Sequence, residues 1–552
     1  MIVLDIETNL DHDIIWCAVT WDEENGFVTW TRDNKGLLQD YLNKHAPVVM
    51  HNGIGFDAPV LRDVWGVTLY PSQVIDTLVM SRLYKPDIEG GHSLKVWGKR
   101  LRGDDGKIDF DDFDGGLCDE MVTYCERDVD LTRDLYNFLL TELRVLGFSQ
   151  QSIDLEHAVA IQMCKQERNG FLLNMKDATD LLCDLKGKMA KIEDELQETF
   201  PPIVTERWSE KTGKRLKDHV EVFNVGSRQQ VARRLESLGV KWKRTTETGK
   251  PVVDEGTLAE IDLPEAKLVA EFLMLQKRVG LVESWIDKAE ADSRVHGRVI
   301  SNGAVTGRMT HSSPNMGQIP SVSSPYGKEC RSCWTVPSGY KLVGCDLSGI
   351  ELRCLAHYMQ DEDWTRELLE GDIHTKNQLA AGLPERSMAK TMIYATLYGA
   401  GAAKIGAIVG GGAKEGEQIL ENFYTNTPKL RELQTLVGTL AGEGTIKGLD
   451  GRRLHIRSAR AALNTLLQSC GAIIAKQWCV EIHKRLRQEG LHPNVKQVAF
   501  VHDEIQMEVK EQASKAVARI MEESATKAGE VLGFRVRVDA ESKIGNSWYD
   551  TH

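Results

Sequence analysis

The chain has 552 residues, 41% of them aliphatic or aromatic and 27% charged, with a formal net charge of −13. That length exceeds what one hydrophobic core organises, so three or more domains or subdomains are expected, and the composition argues against intrinsic disorder. No apolar run reaches the length of a membrane span and MIVLDIETN lacks the basic start of a secretory leader, which predicts a cytoplasmic protein with no membrane partner.

The acidity is local. Residues 1–150 hold 14 Lys/Arg against 27 Asp/Glu, whereas residues 151–552 carry 54 of each sign. Net charge alone therefore does not exclude a polyanionic partner. Eleven cysteines are scattered without a secreted framework. The close pair Cys330 and Cys333 has no second pair to complete a zinc site, so reduced thiols are expected.

Residues 1–150 alternate β-rich runs with helical patterns, which predicts an α/β domain. In MIVLDIET, Asp5 and Glu7 are two apart on a predicted strand and leave the same face. A lone D-x-E is common and carries little. Two further blocks strengthen it: HNGIGFD, ending at Asp57, and YCERD, with Tyr124 and Asp128 at i and i+4 on one helical face. Four such carboxylates suit two Mg²⁺ or Mn²⁺ ions, and Tyr124 suits the positioning of a water for phosphodiester hydrolysis.

Residues 152–199 carry helical periodicity interrupted by ERNGFLLN, predicting a helical arm. Residues 201–250 contain 12 Lys/Arg against 6 Asp/Glu, including KTGKRLK and KWKR. Such a stretch is usually a solvated face, yet it suits phosphates.

In KLVGCDLSGIELR, Asp346 ends an apolar strand, and Ser348 with Glu351 reads as a capping box opening a helix. The cap leaves Asp346 unexplained. Near the C-terminus, VAFVHDEIQMEV sets His502, Asp503 and Glu504 inside an apolar strand pair, where adjacent ionised carboxylates need a cation. Pairing Asp346 with Asp503 builds a second two-cation site.

Between them, PERSMAKTMIYATLYGAG predicts a helix with Pro384 in its first turn and Gly399 and Gly401 at its end. Arg386, Lys390, Tyr394 and Tyr398 recur every four residues, each step turning about 40°, so they form a slanted stripe of cations followed by aromatics. The stripe suits a triphosphate, a sugar and a base. GAGAAKIGAIVGGGAKEG at 399–416 lacks the strand–loop–helix setting of a phosphate loop and is read as helix packing.

The N-terminal blocks resemble the three motifs of the DEDD 3′–5′ exonucleases with tyrosine in the third. DLSGIELR, RSMAKTMIYATLYG and VHDE resemble motifs A, B and C of family A DNA polymerases, in order. TGRMTHSSPNMGQIP, GDIHTKNQLAAG, KGLDGRRLHIRS, ALNTLLQS and GNSWYDTH are also family-like, so the resemblance covers nearly the whole chain and is strongest to the phage replicative branch. It implies an α/β multidomain protein: a ribonuclease H-like 3′–5′ exonuclease domain over 1–150, linker and helical thumb over 151–300, palm over 301–360, fingers over 361–445 and palm again over 446–552. No separate 5′-nuclease region is expected ahead of Asp5.

The resemblance implies template-directed DNA synthesis with proofreading, on primer–template DNA and dNTPs, with two Mg²⁺ ions at each site replaceable by Mn²⁺. Asp346 and Asp503 would hold the polymerase metals, with Glu504 auxiliary; Asp5, Glu7, Asp57 and Asp128 would hold the exonuclease metals, with Tyr124 beside the water. Arg386, Lys390 and His374 are implied phosphate contacts, and Lys390 is also an implied proton donor to pyrophosphate. Glu351 is the implied sugar gate. Tyr394 stands where many relatives have phenylalanine, which implies weak rejection of dideoxynucleotides. Arg308, Tyr398, Arg460, Asn464, Gln468 and His502 are implied DNA contacts, and His552 lies in a family-like ending.

The interval between Asp128 and Asp346 leaves no room for the accessory insertion of thioredoxin-using phage polymerases. The basic 201–250 stretch is expected to grip DNA without thioredoxin, while a helicase-primase and a single-strand-binding protein remain expected replisome partners. A nuclease with a degenerate second half would explain only the first carboxylate set, and a noncatalytic scaffold neither; RNA synthesis is disfavoured by Glu351.

Overall fold

The computed structural model describes residues 1–70, 73–103 and 110–552. Its N-terminal region is built on five strands: β1 (Ile2–Thr8), β2 (Ile15–Asp22), β3 (Gly26–Trp30), β4 (Val48–Met50) and β5 (Val74–Asp76), in the order β3-β2-β1-β4-β5. β1 runs antiparallel to β2 and parallel to β4. Ile2, Val3, Leu4 and Ile6 of the central strand are all buried, as a strand covered on both faces requires. One cover is the Asp119–Val145 helix, whose Met121, Cys125 and Val129 pack on Val3, Cys17, Val19 and Val49.

Helices Gln150–Asn169 and Met175–Thr199 follow, separated by the short strand Phe171–Leu173. The second packs with the Pro264–Lys288 helix around Leu185, Leu275 and Trp285. Between them stands an antiparallel ribbon, Ile203–Trp208 with Arg215–Glu221, whose side chains are exposed or half-buried on both faces.

The C-terminal half is organised by a four-stranded antiparallel sheet in the order Val495–Val501, Glu504–Lys510, Tyr340–Leu347, Ala540–Gly545. Helices Ala462–Gln488 and Ser514–Val531 share its core through Trp478, Ile482, Val517 and Met521. Six helices fill residues 362–441. Two of them, Ala402–Ile408 and Ala413–Asn426, approach so closely that a Cβ on Gly406 would lie 1.8 Å from the Gly412 carbonyl oxygen, and one on Gly416 1.8 Å from that of Ala402. The glycine-rich 399–416 segment is thus helix packing.

The two halves are joined by specific contacts. Arg453 Nε donates to the Leu146 carbonyl (2.8 Å), Asn302 Nδ2 to that of Arg82 (3.0 Å), and Arg457 pairs with Asp87 (3.0 Å).

Three local expectations are corrected. Ser348 and Glu351 form no capping box: the helix begins at Ile350 behind Gly349, which adopts φ +56° and makes no side-chain cap, while the Ser348 amide donates to the Asp539 carbonyl at 2.9 Å. The strand entering this turn is still hydrogen-bonded at Leu347, so the chain needs a left-handed residue to change direction, and glycine adopts it at little cost. Pro384 lies ahead of the helix Arg386–Leu397, whose cap is Glu385. His502 and Asp503 do not sit inside a strand; they form the two-residue tip of a hairpin, with His502 at φ +58°. No helix is long and apolar enough to cross a membrane among the described residues.

Candidate active site

The Val501↔Glu504 pairing closes the hairpin that carries Asp503, and the next strand pairs Asp346 directly with Glu504. Directly paired antiparallel residues point to one face, so the end of Tyr340–Leu347 and the hairpin tip gather three carboxylates. Partial burial pushes the Asp346 carboxyl up to about 7, helped by the charges of Asp503, Glu504 and Glu541. Burial likewise raises Asp503.

Glu504 differs. Burial opposes its charge, but contacts from His552, Arg331 and Trp548 outweigh that cost and lower its pKa. Trp548 Nε1 donates to Oε1, Gln506 Nε2 donates to the same atom at 2.7 Å, Arg331 lies 3.6 Å from Oε2 and His552 Nδ1 3.4 Å from it. His552 therefore closes the sheet end behind the carboxylates.

Arg308, Glu351, Tyr398, His502 and Asp503 line one cleft of about 290 Å³. Glu351 Oε1 accepts from the Tyr398 hydroxyl at 2.6 Å and lies 3.6 Å from Arg308. The cleft floor comes from the long helix Ala462–Gln488 through Leu467, Gly471, Ala472 and Lys476. Asn464 and Gln468, hydrogen-bonded to one another at 2.9 Å, lie on that helix, with Arg460 exposed just before it.

Arg386, Lys390 and His374 do not line this cleft. Arg386 opens its helix, one turn before Lys390 and two before Tyr394, and is held by Asp372 at 2.6 and 3.0 Å. Tyr394 is half-buried; burial raises its pKa, with Glu351 and Asp503 adding to the rise.

In the N-terminal half, Asp5 and Glu7 lie on β1 and Tyr124 and Asp128 on the helix packed across it. One ligand atom each of Asp5, Glu7 and Cys125 lies within 4.8 Å of the others. Asp57 is buried at the start of a short helix; desolvation pushes its carboxyl up to about 7, with the charges of Asp76 and Asp128 adding to the rise. Carboxylates crowded this way repel one another, and a hard divalent cation relieves the repulsion. Their oxygen donors suit Mg²⁺ or Mn²⁺.

Sequence reasoning missed Cys125, whose Sγ lies 3.6 Å from the Asp5 carbonyl oxygen and 3.7 Å from its Oδ2. The i, i+3 spacing from Cys125 to Asp128 was the available signal. It also missed Lys476, buried against Glu156 at 2.5 Å and pushed down to about 8 by burial. Nothing local in the sequence marks a partner 320 residues away.

The family model for DNA polymerase family A matches residues 196–550. The DNA-directed DNA polymerases of Enterobacteria phage T3 and Escherichia phage T7 are each 34% identical to this chain, with both chains fully covered. A solved structure, the POL domain of Pol1 from M. smegmatis in complex with DNA primer-template and dNTP, shares the fold with a TM-score of 0.82 at 19% identity, over 100% of this chain and 95% of that one. With its mixed α/β architecture and a match over well more than half its length, the chain belongs to DNA polymerase family A.

Proposed function

We propose that the protein extends a DNA primer on a template with dNTPs and removes mispaired 3′ ends with a second, hydrolytic site. The observation that carries the reading is the direct pairing of Asp346 beside the hairpin tip bearing Asp503, in a chain 34% identical throughout to phage DNA-directed DNA polymerases. The strand order β3-β2-β1-β4-β5, with β1 antiparallel to β2 and parallel to β4, supports a ribonuclease H-like exonuclease domain over residues 1–150. In this reading a linker and helical thumb over 151–300, palm over 301–360, fingers over 361–445 and palm again over 446–552 follow it.

Asp346 and Asp503 would hold two Mg²⁺ ions, which when bound activate the primer 3′-hydroxyl and stabilise the departing pyrophosphate. The chain's own groups do the rest. Arg386, Lys390 and His374 bind the triphosphate, and Lys390 gives a proton to pyrophosphate. Glu351, bridged to Tyr398 and Arg308, closes the space a ribose 2′-hydroxyl would need. Tyr398 stacks at the templating position, and Arg308, Arg460, Asn464, Gln468 and His502 contact primer and template. At the second site Asp5, Glu7, Asp57 and Asp128 would hold the metal pair, and Tyr124 orients the attacking water.

The exposed ribbon of residues 203–221 and the basic stretch around it are assigned to duplex contact without thioredoxin. A large gain in processivity on adding thioredoxin would remove that assignment. The reading as a whole is tested on a labelled primer–template with Mg²⁺. Asp346→Ala with Asp503→Ala should abolish extension and spare 3′ degradation. Asp5→Ala with Glu7→Ala should do the reverse. A wild type that degrades but never extends would make the protein a nuclease.

A further inference from the structure

Arg386 and His374 come from different helices, and one carboxylate touches both segments. Asp372 caps the helix Ile373–Ala381: its Oδ1 accepts from the amides of His374 (3.1 Å) and Thr375 (3.4 Å), and its Oδ2 from the Thr375 hydroxyl (2.8 Å). The same carboxylate receives the Arg386 guanidinium through two parallel bonds, Nε to Oδ2 at 2.6 Å and Nη2 to Oδ1 at 3.0 Å. Arg386 and the Thr375 hydroxyl hold the Asp372 carboxyl well below the usual range, so it is ionised at neutral pH.

Which edge of the guanidinium is used matters. Arginine has five N–H donors in a planar fork. Asp372 occupies the side edge, formed by Nε and one terminal nitrogen. The end edge, formed by Nη1 and the remaining hydrogen of Nη2, is left for a second bidentate partner, and a phosphate has the matching geometry. An exposed arginine without such a brace would lose its side-chain freedom only when the nucleotide arrives, at a cost to affinity.

We propose that Asp372 is a positioning residue for nucleotide binding: it fixes Arg386 side-on and anchors the turn bearing His374, so that the arginine's free edge is aimed at the polyphosphate of an incoming nucleoside triphosphate. The inference rests on the polymerase reading of Arg386. Asp372 touches neither substrate nor metal. Its effect is confined to triphosphate binding, and it acts through Arg386.

Three variants test this. Asp372→Asn keeps a good N-cap residue but loses the ionic brace, Asp372→Ser keeps a cap and has no reach to Arg386, and Arg386→Ala removes the residue acted upon. The expected result is a rise of about tenfold in KM for dNTP in both Asp372 variants, with kcat changed less than about twofold and the melting temperature and primer–template affinity unchanged. Adding Asp372→Asn to Arg386→Ala should cost nothing further. An unchanged KM, or a full further loss in the Arg386→Ala background, overturns the proposal.

Equilibrium dNTP binding to a complex with a dideoxy-terminated primer keeps the wider reading separate. Wild type that binds dNTP more tightly than Asp372→Asn but cannot extend a primer sinks the polymerase reading and keeps the role of Asp372. Extension with equal dNTP affinity in both does the opposite, and wild type that neither binds nor extends removes both.

Discussion

Lys476 and Glu156, 320 residues apart, form an ion pair of 2.5 Å with almost no solvent contact. Arg452 reaches the same Glu156 oxygen at 2.7 Å and is paired in turn with Asp450 at 2.7 Å. Two acids and two bases thus form a neutral buried cluster that ties the Gln150–Asn169 helix to the Ala462–Gln488 helix and to the turn before Arg453. Lys476 lies at the floor of the Asp503 cleft, so the cluster also sets where that helix stands.

Breaking this cluster from one side should be costly. Glu156→Ala leaves Lys476 and Arg452 with one buried acid between them, and removing one partner of a buried pair typically costs about 3–5 kcal/mol. The expected outcome is an unfolding transition at clearly lower urea, read by far-ultraviolet circular dichroism, which follows the helices the cluster ties together. A shift equivalent to less than about 1 kcal/mol, the worth of a surface pair, would show that water already screens the cluster.

The charge on Asp346 should be visible without any activity. Its folded pKa is raised to about 7 while the unfolded value is near 4, so between those values the folded protein holds the proton more tightly. In metal-free protein this group's contribution to stability is full below about pH 4 and is lost as pH rises through 7. Asp346→Asn should therefore be more stable than wild type at pH 8 in a chelator, by about 1–2 kcal/mol after allowance for the water reaching its tip, and equal to it near pH 4. Mn²⁺ should reverse the order at pH 8. A variant less stable than wild type at pH 8 in the chelator would contradict the crowding.

Tyr394 gives a test of nucleotide choice. It lies two helical turns after Arg386 and feels the charges of Glu351 and Asp503, so its phenol stands near the proposed sugar site. Wild type should accept dideoxynucleotides readily, the phenol standing in for the missing 3′-hydroxyl. Tyr394→Phe should raise discrimination against them by roughly 10–100-fold, the worth of one hydrogen bond involving a charged group. Competing ddNTP and dNTP on one template position measures it, and unchanged discrimination would unseat Tyr394.

What the sequence revealed depended on range. Asp5 and Glu7 share a strand and Tyr124 and Asp128 a helix turn, so local periodicity alone sets their faces, without any tertiary contact. The apolar strand ending in Asp346 was legible for the same reason, whereas the two-residue turn that lifts His502 and Asp503 out of their strand pair was not, because the residues around it are as apolar as a continuous strand. The helix start at Ile350 was not legible either, because the cap chemistry of Ser348 and Glu351 fits a helix beginning one residue earlier, and only the Ser348 amide's bond to Asp539 diverts it. Likewise Cys125 reads as a core residue by period, and its closeness to Asp5 follows from how the helix crosses β1.

Glu504 separates contact with metal from support of it. The sequence sets it beside Asp503 as an auxiliary carboxylate, and the fold fills its oxygens with Trp548, Gln506, His552 and Arg331. A carboxylate so occupied holds the sheet end and the Asp346 strand in register, and has little capacity left for a cation. Glu504→Gln keeps the shape and loses the charge, so it should lower the extension rate by less than about tenfold while reducing stability by ~1–3 kcal/mol through the Arg331 left beside it. Asp503→Asn should lower the rate by more than about a thousandfold, the scale of losing a charged group that acts in the transition state. Single-turnover extension of a saturated primer–template measures both, and equal losses in the two variants would make Glu504 a metal ligand alongside Asp503.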